Sequence, residues 1–183
     1  MRYADFYECD ICNGKEIGVS LFVQGCPFHC KGCFNQETWD FNGGKEWTAE
    51  TERKFFNLIG REYIHRITFL GGSPLCNQNI DAVYHIIKKI KKIYPTKHIW
   101  VYTGMIWENI LERIKQYEED VSLDYETFCL KEILNMIDVL VDGPFEYDKR
   151  DLTLAFRGSS NQRIIDVQSS LKTKEVILKN IDD

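Results

Sequence analysis

An apolar, β-rich run at residues 17–23 (IGVSLFV) leads within two residues into three cysteines, Cys26, Cys30 and Cys33, spaced Cys-x3-Cys-x2-Cys. β-branched and aromatic residues favour a strand, so the three thiols sit on the loop that leaves a strand end. Three thiolates can hold three corners of a four-iron cluster, which ordinarily takes four cysteines. One iron would then be left open to a further ligand, as an open zinc position makes a catalytic site. Zinc is the competing reading, because Cys9-x2-Cys12 and Cys30-x2-Cys33, separated by seventeen residues, fit a four-cysteine template. Against it, Cys26 is left over, the intervening segment is a strand rather than a short turn, and the remainder of the chain builds a body that needs no metal to fold.

Strand and helix signals alternate along the chain. Thr48 is placed to cap a helix to about residue 59, with Glu50 and Glu52 at its positive end. Residues 64–70 (IHRITFL) read as a strand ending at Gly71-Gly72. Asn79 is placed to cap a helix whose buried stripe is Ile80, Val83, Ile86, Ile87, Ile90 and Ile93. A strand at 98–103, closed by Gly104, and a helix at 106–117 follow. Residues 118–124 are polar and read as a surface insertion. A helix from about 127 to 135 precedes a strand at 137–141, the turn Asp142-Gly143-Pro144, and short strand candidates at 164–167 and 174–178. Repeated strand–helix units predict an α/β fold with a mostly parallel sheet of about five or six strands. An eight-fold barrel needs ~250 residues, so the expectation is a partial, open β/α barrel forming a single domain over residues 1–183. Ligands in such sheets sit beyond the carboxyl ends of the strands. That is where the cysteine loop, residues 71–74, Thr103-Gly104 and Asp142-Gly143 fall.

Apolar residues make up 44% and aromatic residues 13% of the chain, enough for a real core. A net charge of −5 leaves no basic footprint for nucleic acid or for an anionic membrane. No apolar run approaches the ~20 residues that span a bilayer, and the acidic first residues hold no signal core. These features predict a cytoplasmic chain, where seven cysteines stay reduced and clustered ones bind metal.

The stretch from Ser20 to Asn35, SLFVQGCPFHCKGCFN, resembles the cluster loop of radical S-adenosylmethionine enzymes. Its Cys-x-Gly-Cys-aromatic-Asn ending, with Gly32 before the third cysteine and Phe34-Asn35 after it, is similar to the family that activates anaerobic ribonucleoside-triphosphate reductases. Similarity continues through residues 71–75 (GGSPL), 100–104 (WVYTG), 138–145 (DVLVDGPF) and 157–163 (RGSSNQR), and so covers nearly the whole chain.

The resemblance implies that Cys26, Cys30 and Cys33 ligate a [4Fe-4S] cluster whose fourth iron takes the amino and carboxylate groups of S-adenosylmethionine. Reductive cleavage would give a 5′-deoxyadenosyl radical, which removes hydrogen from a glycine on the reductase large subunit. The implied cofactor-binding residues are Gly32, Cys33, Phe34, Gly71, Gly72, Ser73 and Thr103. An electron donor, flavodoxin-like or similar, is implied as a second partner. The nearer alternatives are an activase of another glycyl-radical enzyme and a small-molecule radical enzyme; the farther one is a zinc-bearing interaction module. Pro27, Phe28 and Phe34 could wall the cluster, and His29 reads as a loop side chain. Ser73 stands where relatives usually carry an acid, and Glu16 and Gly18 stand where they tend to carry a glycine and an arginine. Cys9 and Cys12 admit three readings, a redox pair, ligands of a second metal or incidental residues, and the last is taken. Cys76 and Cys129 are expected to pack as small apolar residues. Residues 157–163 are either a turn or a surface that receives the partner's glycine.

Overall fold

A computed structural model describes residues 1–120 and 124–181. The chain is α/β, built on one seven-stranded sheet of order β3-β1-β2-β4-β5-β6-β7. The strands are β1 (Arg2–Asp10), β2 (Gly18–Val23), β3 (Lys45–Glu46), β4 (Arg66–Gly71), β5 (His98–Tyr102), β6 (Val139–Asp142) and β7 (Arg163–Asp166). The helices are α1 (Ala49–Ile59), α2 (Asn77–Ile93), α3 (Trp107–Glu119), α4 (Tyr125–Met136) and α5 (Val167–Thr173).

The sheet is mixed, which corrects the expected mostly parallel sheet of five or six strands. Only β2, β4, β5 and β6 run parallel to their neighbours in the series. β1 pairs antiparallel with both β2 and β3, and β7 pairs antiparallel with β6. The reason lies in the connections. Parallel neighbours need a crossover, usually a helix, and α1 to α4 supply them between β2 and β6. No such helix separates β1 from β2, and only a single short turn at Tyr147–Lys149 lies between β6 and β7. The strand expected at 174–178 is absent as a strand. Lys174 takes a left-handed conformation that ends α5, and the segment contributes one isolated bridge, Ile165 to Leu178.

Helix boundaries follow their caps. Thr48 accepts the Thr51 amide at the start of α1, as expected. Asp124 accepts the Thr127 amide and starts α4 two residues earlier than expected. The polar segment expected as an insertion, 118–124, lies partly outside the described residues. Asn79 does not cap α2; the helix begins at Asn77, and the Asn79 side chain is used elsewhere, as described below.

The two faces of the sheet differ. Val19, Leu21, Val23, Ile67, Phe69, Ile99, Val101, Leu140 and Ile165 face the helices and form the main core with Phe55, Ile59, Ile80, Ile87, Ile110, Leu130 and Ile133. The alternate residues point to the other side, and among the described residues the buried ones of α1 to α4 do not gather there. There Trp100, Val139, Val141 and Ile164 form a small cluster against Tyr102 and Phe156. Strands buried on both faces read as continuous apolar runs rather than alternating ones, which is why β2, β4 and β5 were legible in the sequence.

Two buried polar clamps tie the sheet to its loops. Arg66 is fully buried on β4. It donates to the carbonyls of Asp10 (2.7 Å), Asn13 (2.6 Å) and Lys15 (3.1 Å) and pairs with the Asp10 carboxylate at 3.3 Å. A side chain on Gly18 would come within 2.8 Å of the Arg66 guanidinium carbon, so the missing side chain at 18 makes room for the one at 66. Burial pushes the Asp10 carboxyl up, but hydrogen bonds from Ser20, the Cys12 amide and Asn13, with the Arg66 charge, outweigh it and hold it below its ordinary value of 3.8. The second clamp is Asn79, whose Nδ2 donates to the carbonyls of Gln24 (2.9 Å), Ser73 (3.1 Å) and Gly25 (3.4 Å). It ties the start of the cysteine loop to the turn after β4.

Removing one partner of a buried ion pair strands the other. Arg66→Ala is expected to lower unfolding free energy by about 3–5 kcal/mol, read from urea denaturation; a loss under about 1 kcal/mol would contradict the clamp. Because the Asp10 carboxyl is depressed in the folded state, its contribution is present above its ordinary value and fades as pH falls through the lower folded value. The stability gap between wild type and Asp10→Asn should therefore narrow in acid. Asn79→Ala withdraws a donor from buried carbonyls and is expected to cost about 1–3 kcal/mol by the same measurement.

Candidate active site at the carboxyl ends of the parallel strands

The loops leaving β2, β4, β5 and β6 converge on one cavity of about 430 Å³. After β2, Gly25 turns the chain with φ +96°, and its amide donates to the Thr38 carbonyl at 2.8 Å. Gln24 is buried and donates to the carbonyls of Glu37 and Asp40, which folds the end of the cysteine loop back on its start. The Cys26 amide donates to the Trp39 carbonyl at 3.1 Å. These bonds close the loop, so that Cys26, Cys30 and Cys33 all line the cavity.

The opposite wall is the glycine corner after β4. The Gly72 amide donates to the Val23 carbonyl (2.9 Å) and the Ser73 amide to the Gly25 carbonyl (2.8 Å). A side chain on Gly72 would collide with the Gly25 carbonyl oxygen, which is backbone and cannot move aside. Gly71, with φ +94°, and Gly72 line the cavity, and Thr103-Gly104 close it from the end of β5. The Phe28 ring lies over Gly104, within 2.7 Å of where a side chain there would start. Phe34 and Phe145 meet with ring centroids 5.2 Å apart, and Gly158 fits against both.

Seven of the sequence-predicted site residues thus share the cavity: Cys26, Cys30, Cys33, Phe34, Gly71, Gly72 and Thr103. Gly32 and Ser73 do not line it. Gly32, at φ +72°, turns the loop with the Tyr147 ring packed against it. Ser73 is buried, its Oγ without a hydrogen-bond partner among the described residues. His29 packs on Trp39 at 4.8 Å between centroids. Cys76 and Cys129 are buried, and Cys9 and Cys12 are exposed. Sequence reasoning missed Cys12, Asn13, Tyr102 and Phe156 as cavity residues. The one available signal was Arg66, a charge inside an apolar strand, which draws the loop carrying Cys12 and Asn13 onto the sheet.

The donor set fits an iron–sulfur cluster. The backbone amides of Phe28 and His29 favour the Cys26 thiolate and that of Phe145 the Cys30 thiolate, while the Asn35 amide donates to Cys33 Sγ at 3.4 Å. Amide donors of this kind stabilise and tune cluster sulfurs. Burial nevertheless pushes the Cys26 and Cys30 thiols up, so the positive charge of bound iron is what would deprotonate them. Among the described residues no group of three or more His, Cys, Asp or Glu side chains is gathered to hold a single metal ion. Also among the described residues, no helix is long and apolar enough to cross a membrane.

Comparison with known proteins agrees with this geometry. Residues 12–165 match the model of a 4Fe-4S single cluster domain. The anaerobic ribonucleoside-triphosphate reductase-activating protein of Salmonella typhi is 38% identical over 164 residues, 88% of this chain and 96% of its own. Proteins of the same name from Escherichia coli (strain K12) and Enterobacteria phage T4 are 35% and 34% identical, covering 88% and 90% of this chain and 96% and 93% of their own. The chain therefore belongs to the 4Fe-4S single-cluster family that includes the anaerobic ribonucleoside-triphosphate reductase-activating proteins.

Proposed function

We propose that this chain activates an anaerobic ribonucleoside-triphosphate reductase by generating a glycyl radical on it, as an S-adenosylmethionine-dependent iron–sulfur oxidoreductase. The observation that carries the reading is the convergence of three loop thiols, the β4 glycine corner and Thr103 on one cavity, in a chain that aligns nearly end to end with relatives so named. When bound, the [4Fe-4S] cluster supplies the electron that cleaves S-adenosylmethionine and so the radical passed to the partner's glycine.

The chain's own residues have separable tasks. Cys26, Cys30 and Cys33 would hold the cluster, three thiolates where such a cluster usually takes four. Gly71 and Gly72 expose backbone to the ligand, because a glycine corner admits close approach. Gly32 shapes the turn between Cys30 and Cys33, and Ser73 braces the glycine corner by donating its backbone amide hydrogen to the Gly25 carbonyl. Phe28, Phe34, Phe145 and Phe156 line the cavity and exclude water and stray hydrogen donors. We take residues 1–183 as one domain, its sheet curved as a partial barrel around this cavity. The chain works in the cytoplasm, which suits its seven free thiols, and takes its electron from a flavodoxin-like or similar donor.

Anaerobic reconstitution, reduction and mixing with the reductase large subunit and S-adenosylmethionine tests the reading. The expected products are 5′-deoxyadenosine and a glycyl radical signal by electron paramagnetic resonance; a loaded, reduced protein that yields neither would refute it. Cys30→Ala is expected to abolish both, and full activity in that variant would remove Cys30 from the ligand set.

A further inference from the structure

The last wall of the cavity carries a charge that the functions assigned above leave unused. Arg157 lines the cavity together with Gly158 and Gln162. Its Nε is buried and has no hydrogen-bond partner among the described residues. One other nitrogen of the guanidinium donates to the Gln162 carbonyl at 2.9 Å, which leaves the group tethered. No carboxylate among the described residues pairs with it, in contrast to Arg66 and Arg163, which pair with Asp10 and with Glu108 and Asp142.

The turn that presents Arg157 is rigidly held. Gln162 Oε1 accepts the amides of Gly158 (2.9 Å) and Ser159 (3.3 Å), and its Nε2 donates to the Gly143 carbonyl at 3.1 Å. Asn161 Nδ2 donates to the Pro144 carbonyl at 2.8 Å. The segment is therefore bolted to the loop after β6 by side-chain amides, while its cation is left without a counter-charge. A buried donor without an acceptor is costly, and a guanidinium fork matches the two oxygens of a carboxylate geometrically and can also donate to a single carbonyl oxygen.

We infer that Arg157 is a ligand-binding residue of this cavity, its guanidinium taking an oxygen acceptor that the bound reactants supply. That oxygen has two sources, the carboxylate of S-adenosylmethionine and a backbone carbonyl of the partner segment that carries the target glycine. The inference rests on the proposed function.

The test compares wild type, Arg157→Gln and Asn161→Ala, each reconstituted anaerobically. Iron content and the electron paramagnetic resonance spectrum of the reduced cluster establish loading, independently of Arg157. S-adenosylmethionine affinity is measured by equilibrium dialysis, and affinity for the reductase large subunit by anaerobic titration. Arg157→Gln should load normally and lose at least tenfold in one affinity. A loss for S-adenosylmethionine assigns the acceptor to its carboxylate, and a loss confined to the reductase assigns it to the peptide carbonyl. Asn161→Ala, which loosens the same turn without touching the guanidinium, should change either affinity less than threefold. Unchanged affinities in Arg157→Gln, or equal losses in both variants, would overturn the inference. A wild-type protein that binds neither reactant despite a loaded cluster would instead refute the proposed function.

Discussion

The site depends on one backbone carbonyl, that of Gly25. It leaves the end of β2 and accepts the Ser73 amide and the Asn79 side chain, while Gly72 is pressed against it closely enough to forbid a side chain there. Each such bond is worth only about 0.5–1.5 kcal/mol net. Their value is positional, because they fix the first residue of the cysteine loop against the corner that faces it. The thiols and the glycine corner are then set by adjacent parallel strands, β2 and β4, rather than by a free loop, which is the condition for a precisely held site.

Charge is distributed unevenly. The chain is acidic overall, at −5, yet Arg66 lies buried on the sheet face that carries the cavity and Arg157 stands on the cavity wall. Arg66 is compensated by Asp10 and a ring of carbonyls; Arg157 donates to the Gln162 carbonyl and has no carboxylate partner among the described residues. Aromatic rings close much of the remaining wall, and burial alone already raises two of the three loop thiols. A site of this kind holds thiolates only against positive charge, and it amplifies any electrostatic interaction made inside it.

Much of this was legible in the chain. The buried parallel strands show as unbroken apolar runs, the Thr48 cap and the α2 stripe from Ile80 to Ile90 give two helices (Ile93, expected in that stripe, is exposed at the helix end), and the cysteine spacing with the glycine corner names the cavity's two walls. β1 was not legible. Its RYADFYECD pattern mixes charge with aromatics and most of its residues stay exposed or half-buried, so pairing with β2, not local pattern, makes it a strand. Asn79 looked like a cap because asparagine favours that position, whereas tertiary carbonyls claim its side chain. The departures at 16 and 18 also become intelligible. Glu16 adopts φ +68°, a conformation that suits glycine, and the space beside Gly18 is filled from the next strand by Arg66. Distant pairing of this sort has no local signal.

The most direct measurement is Mössbauer spectroscopy of anaerobically reconstituted, iron-57-labelled protein with and without S-adenosylmethionine. A cavity with three thiolate ligands and one open corner should hold a [4Fe-4S] cluster in which a single iron site changes its parameters when S-adenosylmethionine is added. Stoichiometric zinc without iron, or a cluster whose four irons all ignore S-adenosylmethionine, would contradict it.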